Sequence, residues 1–238
     1  MTGKPVMAQE LPAQKETLET IVKVNDYFMK KYADYTLPSF YGRVRPSNIW
    51  TRGVYYEGLM ALYGIYPRED YYKYAYDWAD FHKWGMRNGN TTRNADDHCC
   101  GQVYIDLYNM CPSDPNMIRN IKASIDMVVN TPQVNDWWWI DAIQMAMPIY
   151  AKFGKMTGEQ KYYDKMWDMY SYTRNVHGEA GMYNPKIAYG GAIRTLILLT
   201  KNRMEKIATG VVEMAGYMQL LYGYWMKSLP MKHIARII

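Results

Sequence analysis

Apolar residues recur three or four positions apart through most of this chain. The stretches "ETLETIVKVNDYFMKKYAD", "WTRGVYYEGLMALYGIY", "EDYYKYAYDWADFHKWG", "GQVYIDLYNM", "DPNMIRNIKASIDMVV", "WIDAIQMAMPIYAKFGK" and "GEQKYYDKMWDMYSYTRN" all follow that rule. The spacing places the apolar groups on one face of a helix, and the breaks between stretches carry the Gly, Pro, Asn or Asp that helix ends require. No convincing strand alternation occurs in residues 1–186, so the pattern predicts an all-α chain.

The predicted helices repeat in pairs. Leu62-Tyr63 returns as Leu107-Tyr108, 45 positions later, and as Ile149-Tyr150 after another 42. The second helix of each pair begins near Tyr71, Asn116 and Lys161, again 45 apart, and Trp78 and Trp167 stand 89 apart, about two periods. Stacked helical hairpins follow, building either an open solenoid or, when they curve inward and close, a double-layered α/α toroid.

The period also aligns polar residues. Asp141, Asp96 and Thr51 are 45 apart and begin the first helices of consecutive hairpins. Equivalent positions of stacked repeats are neighbours, so Asp96 and Asp141 are expected to converge with Trp50, Thr51 and Arg52 on one rim. Asp96 or Asp97 also has the simpler reading of a helix cap. Asp141 follows Trp137, Trp138 and Trp139 and precedes Met145, and an ionised carboxylate among such groups is costly. That points to acid chemistry.

Composition sharpens this picture. Tyr and Trp number 24 and 8 against 4 Phe, and rings with a polar handle suit sugar faces and hydroxyls. Most are expected to pack helices, with Trp50, Trp137 and Trp139 reserved for substrate. The formal net charge of +5 is carried by residues 187–238, which hold seven Lys/Arg and two Asp/Glu; residues 1–186 hold 21 of each sign. A neutral body offers no nucleic-acid footprint. No run of about 18 apolar residues suggests a membrane span, and the start lacks the basic and apolar regions of a signal peptide, although "VMAQ" has the look of a cleaved leader's stump. The compartment stays open between cytoplasm and periplasm. Cys99, Cys100 and Cys111 are an odd count, and His98-Cys99-Cys100 lacks zinc-ligand spacing, so buried core thiols are expected, with no metal and no cofactor.

With these residues assembled, positions 15–186 resemble glycoside hydrolase family 105, the unsaturated rhamnogalacturonyl hydrolases, related to the family 88 unsaturated glucuronyl hydrolases. The segments that carry the resemblance are "WTRGVYYEGLMALY", "NADDHCCGQVYIDLY" and "WWWIDAIQMAMPIYAKFGKMTGEQKYYDKMWDMY". It implies an (α/α)6 barrel, here about three and a half hairpins of six, and a small oligosaccharide substrate: a disaccharide from pectin bearing a 4,5-unsaturated uronic acid. Asp141 matches the family's general acid/base, which protonates C4 of the vinyl ether while water adds at C5. Asp96 matches the second carboxylate, and Trp50, Thr51, Arg52, Asp97, Trp137 and Trp139 are the candidate substrate-binding residues. The basic and His residues expected before the catalytic aspartate are missing from "NTPQVND", which leaves uronate recognition unassigned; Arg43, Arg45 and Arg52 are candidate counter-charges, the first two reading more simply as solvated arginines.

The resemblance stops at the C-terminal segment. A Trp-x-Arg-Gly-Asn-Gly-Trp loop expected past "GMYNPK" is absent, yet the codons of Ala208–Tyr217, read one nucleotide out of phase, can spell it. Residues 187–238, which contain no Asp and no Phe, are therefore expected to be an out-of-frame tail; the alternative is a genuine pair of amphipathic helices. Residues 1–14 are an N-terminal extension. A half-built barrel should expose inner-helix surface and self-associate. Two rival functions remain open: a non-catalytic α/α-repeat protein that binds carbohydrate or a protein partner, and an ordinary inverting glycosidase with carboxylates about 6.5–9.5 Å apart.

Overall fold

The computed structural model describes residues 13–41, 43–179, 181–184 and 189–190. Its helices are α1 (Gln14–Lys31), α2 (Trp50–Ile65), α3 (Glu69–Phe81), α4 (Ala95–Met110), α5 (Asn116–Val129), α6 (Asp141–Thr157) and α7 (Gln160–Asn175). Three hairpins, α2/α3, α4/α5 and α6/α7, follow the single helix α1, so the three and a half hairpin units expected from the period are present. Helices α2, α4 and α6 lie side by side as one layer, with α4 in the middle, and α3, α5 and α7 pack behind as the second.

Position in the layers explains the burial patterns. Central α4 is covered on nearly all sides, hiding Cys99, Cys100, Gln102, Val103, Tyr104 and Ile105 alike. Outer α5 instead buries one stripe, Met117, Ile118, Ile121, Ser124, Ile125 and Val128, at the three-and-four spacing of an amphipathic helix. Aromatic rings fill much of the space between layers: Trp78, Tyr56, Tyr71, Tyr104, Tyr150 and Tyr162 are almost wholly buried. Tyr56 stacks on Trp78 with centroids 4.0 Å apart, and the Trp78 indole donates to the Ser47 carbonyl at 3.2 Å. Among the described residues most of the tyrosines and tryptophans thus pack helices, as expected.

Two features fix the neighbours of the site. Gly53 lets α2 approach α4 closely, since a Cβ there would stand 2.9 Å from Cys99 Sγ and 3.3 Å from the Cys100 amide nitrogen. Pro148 sits inside α6 and has no N–H for the carbonyl four residues back. That orphaned acceptor, Gln144 O, takes a bond from Gln102 Nε2 on α4 at 2.9 Å instead.

The expectation of no strands needs correction. β1 (Ser39–Tyr41) pairs antiparallel with β2 (Arg43–Arg45), Phe40 facing Val44, and β3 (Tyr183–Asn184) pairs with β4 (Tyr189–Gly190). Segments of two or three residues are too short for a period of two to register. Cys99 and Cys100 are the buried thiols anticipated, whereas Cys111 is exposed just past the end of α4. The N-terminal extension up to residue 12 and all of the 187–238 tail except Tyr189 and Gly190 lie outside the described residues. No helix among the described residues is long and apolar enough to cross a membrane.

Candidate active site

Helices α4 and α6 start side by side, and the charge of Asp141 reaches Asp96. Asn94 caps α4, its side chain accepting the Asp96 backbone N–H at 2.8 Å. The helix end is thereby closed without the Asp96 carboxylate, and the cap reading of Asp96 gives way to Asn94. Burial pushes the Asp96 carboxyl above the usual carboxylate range; the charges of Asp97 and Asp141 push it further, while Arg87 and Arg45 pull it back. Asp141, the first residue of α6, stays open to solvent, yet surrounding protein removes enough of its hydration to raise it too.

A second tie holds the two loops together. Arg93, three residues before Asp96, forms a two-pronged ion pair with Asp136, five residues before Asp141, at 2.8 Å and 2.6 Å. Its remaining amine donates to Thr131 Oγ1 at 2.9 Å. The planar guanidinium fork suits this role, since both prongs must be satisfied at one relative position of the loops.

The other predicted residues scatter around this pair. Thr51 shares a 2.9 Å hydrogen bond with Ser39, which docks the β1–β2 hairpin on the start of α2 and places Arg45 where its charge acts on Asp96. Trp50 is half-buried beside Thr51. Arg52 is turned into α1, its guanidinium 4.0 Å from the Tyr32 ring centroid and 5.5 Å from that of Phe28. Asp97 is fully buried, ion-paired with Arg87 at 2.8 Å and accepting from Asn88 and Thr92 at 2.7 Å and 2.8 Å. It staples the loop before α4 and has no route to a sugar. Trp137 is buried against Tyr150 and Trp139 is nearly so, whereas Trp138, between them, is half exposed. Residues 133–138 are outside any helix, and the alternation of faces in a non-helical run buries the two indoles expected on substrate while presenting the middle one.

Sequence reasoning missed Glu57. One turn and more inside α2, its Oε1 accepts from Cys99 Sγ and Gln102 Nε2, each at 3.0 Å, and its Oε2 from Gln144 Nε2 at 2.6 Å. The residue is half-buried but its carboxyl is enclosed, and burial raises it to about 7 despite the thiol and amide donors and the charge of Lys152. The signal was present: Glu57, Gln102 and Gln144 follow the same 45 and 42 spacing as the Leu-Tyr landmarks. Between an unfolded value of about 4.5 and the folded value of about 7, the folded chain keeps a proton that the unfolded chain has released. Stability is therefore expected to fall across that window as pH rises, by up to about 3 kcal/mol, and Glu57→Gln should flatten the slope. Urea unfolding from pH 4.5 to 8 on both chains measures it, and parallel slopes would contradict the assignment.

Among the described residues no group of three or more His, Cys, Asp or Glu is placed to hold a metal ion. His98 is buried and bonds Thr92 O and Ser124 Oγ at 3.0 Å and 2.9 Å; burial lowers it to about 4, so it is neutral near pH 7.

Comparison with known proteins agrees with the hairpin architecture. The fold is similar to that of a polysaccharide lyase (TM-score 0.63, 24% identity, 72% of this chain and 48% of that one). It is equally similar to a glycosyl hydrolase family 88 protein from Bacteroides vulgatus (TM-score 0.63, 24% identity, 76% and 52%). A family 105 glycoside hydrolase from C. acetobutylicum ATCC 824 matches at TM-score 0.54 and 17% identity, over 74% and 48% of the two chains. The chain thus spans about half the length of these solved structures. No curated protein sequence matches it. The sequence model for Glycosyl Hydrolase Family 88 matches residues 20–189, most of the chain and every element from α2 to α7, and the protein belongs to that family.

Proposed function

We propose that this chain is a glycoside hydrolase acting on disaccharides that carry a 4,5-unsaturated uronic acid, of the galacturonyl-rhamnose type released from rhamnogalacturonan. The observation that supports this most directly is the pair Asp96 and Asp141, which stand at two adjacent helix starts and are both held above the ordinary carboxylate range by lost hydration. Carbon is a poor proton acceptor, and a carboxyl that holds its proton to higher pH than usual is the kind of donor it needs.

In this reading Asp141 gives its proton to C4 of the vinyl ether. Positive charge develops at C5, stabilised by the ring oxygen, and water adds there after losing a proton to a carboxylate of the pair. The resulting hemiketal opens to a ketone and expels the neighbouring sugar, so the glycosidic bond breaks with no direct attack on the anomeric carbon. Asp96 orients the water or a ring hydroxyl. Arg45, whose charge already acts on Asp96, is the best-placed counter-charge for the substrate carboxylate. The exposed Trp138 indole offers a ring face to the leaving sugar.

Incubation with unsaturated uronyl disaccharides tests this, followed by the ultraviolet absorbance of the conjugated double bond. The expected result is loss of absorbance together with release of the reducing sugar. Binding with lasting absorbance would instead indicate a carbohydrate-binding repeat protein, and cleavage of saturated substrates an ordinary inverting glycosidase.

A further inference from the structure

Glu57 lies two turns below the rim, and no step of the reaction above uses it. Its partners are nonetheless placed in relation to the reacting carboxyls. Cys99 is three residues after Asp96 on α4, and Gln144 is three residues after Asp141 on α6, so each sits about one turn below its carboxylate on nearly the same helix face. One carboxylate on α2 therefore holds a side chain beneath each of them, at 3.0 Å and 2.6 Å.

Gln102 closes the figure. Its amide donates to Glu57 Oε1 at 3.0 Å and to the α6 carbonyls of Gln144 and Met145 at 2.9 Å and 3.0 Å. Beneath it, Lys152 of α6 reaches Asp106 of α4 at 2.6 Å. All three inner helices are thus cross-linked by polar groups where an apolar seam would have served for packing alone.

We propose that Glu57 is a positioning residue, which sets the separation of Asp96 and Asp141 by tethering Cys99 and Gln144 to one carboxylate. As a statement about catalysis it rests on the functional reading given above. The geometry is matched to the task, because Glu57 joins two helices that touch it on different oxygens, and any change in the α4–α6 spacing must break one of the two bonds. The charged and titratable groups that face it are Cys99 and Asp106 from α4 and Lys152 from α6, so a proton gained or lost by Glu57 changes the tether at constant packing. Protonation would convert one acceptor oxygen into a donor and oblige the Gln144 amide to turn over. The tether consequently exists in two forms on either side of neutral pH.

The test compares Glu57→Ala with Glu57→Gln in the full chain. Both remove the same charge, but the glutamine amide can still bridge Cys99 and Gln144. Side-chain carboxyl resonances of Asp96 and Asp141, followed by carbon NMR through a pH titration, report their mutual repulsion with no need for turnover. The midpoint of Asp96 is expected to fall in Glu57→Ala relative to Glu57→Gln, by about half a pH unit or more, as the carboxylates drift apart. Gln144→Ala, which cuts the α6 side alone and leaves Glu57 in place, should move it the same way and covers the case in which Glu57→Ala does not fold. On the unsaturated disaccharide, either alanine variant should lose about 10-fold or more in kcat with KM nearly constant, the signature of misplaced reacting groups. Equal Asp96 midpoints in the alanine and glutamine variants would overturn the proposal even if the wild type turns over. A wild type without turnover would overturn the functional reading, while the titration still decides the tether.

Discussion

Asp141→Asn is expected to abolish turnover of the unsaturated disaccharide, with a loss of about 10³-fold or more, and to leave the fold intact. The rate falls because the amide has no proton acidic enough to give to carbon, and general acid catalysis alone is worth about 10²–10⁴-fold. The fold survives for a separate reason. Lost hydration raises Asp141 in the folded chain, so ionisation there is a cost of folding and a neutral side chain of the same shape removes it. Initial rates of absorbance loss, with circular dichroism and thermal melting as controls, decide the matter. Retention of more than about one tenth of the wild-type rate would assign the proton to another group. The pH dependence should agree: wild-type activity is expected to decline on the alkaline side as the raised carboxyl finally ionises.

Asp97, the immediate neighbour of Asp96, should behave in the opposite way. Asp97→Ala is expected to cost about 3–5 kcal/mol of stability, because it strands the Arg87 charge and the Asn88 and Thr92 donors around a fully buried position. Arg87 keeps some contact with water, which favours the lower end of that range. For a chain of this size the loss corresponds to a melting point lower by about 10 °C. Asp97→Asn, which preserves shape and some of the hydrogen bonds, should lose less. Pairing Asp97→Ala with Arg87→Met should recover part of the loss, since the stranded charge is then gone as well. A change of less than about 2 °C in the single variant would show that the ion pair contributes little.

These two aspartates show where sequence reading succeeds and where it stops. The 45-residue period located both helix starts, because hairpin stacking turns equal positions into spatial neighbours whatever fills them. That was enough to put Asp96 and Asp141 in the first turns of adjacent helices. It could not say which way the side chain after Asp96 points, and one further residue around a helix is a rotation of about 100°, enough to carry Asp97 from the rim into the loop it staples. The tryptophan run was ambiguous for a related reason: in an extended segment adjacent rings face apart, so the choice of Trp137 and Trp139 over Trp138 depended on a parity that only packing against Tyr150 determines. The short hairpin at Ser39–Arg45 left too few positions for any periodic signal. Glu57 carries no local signal, since a lone Glu inside an amphipathic helix looks like any solvated charge and its partners lie 42, 45 and 87 residues further along the chain.

Pro148 leaves a lasting mark on how this chain can change over time. By removing one backbone donor it makes α6 depend on a side chain of another helix, Gln102, to quench the Gln144 carbonyl. Neither position is free to drift alone: a lineage that exchanged the glutamine for an aliphatic residue would carry a dry, uncompensated oxygen until the proline was lost as well. The two sites are expected to be inherited as a linked pair, substituted together or not at all.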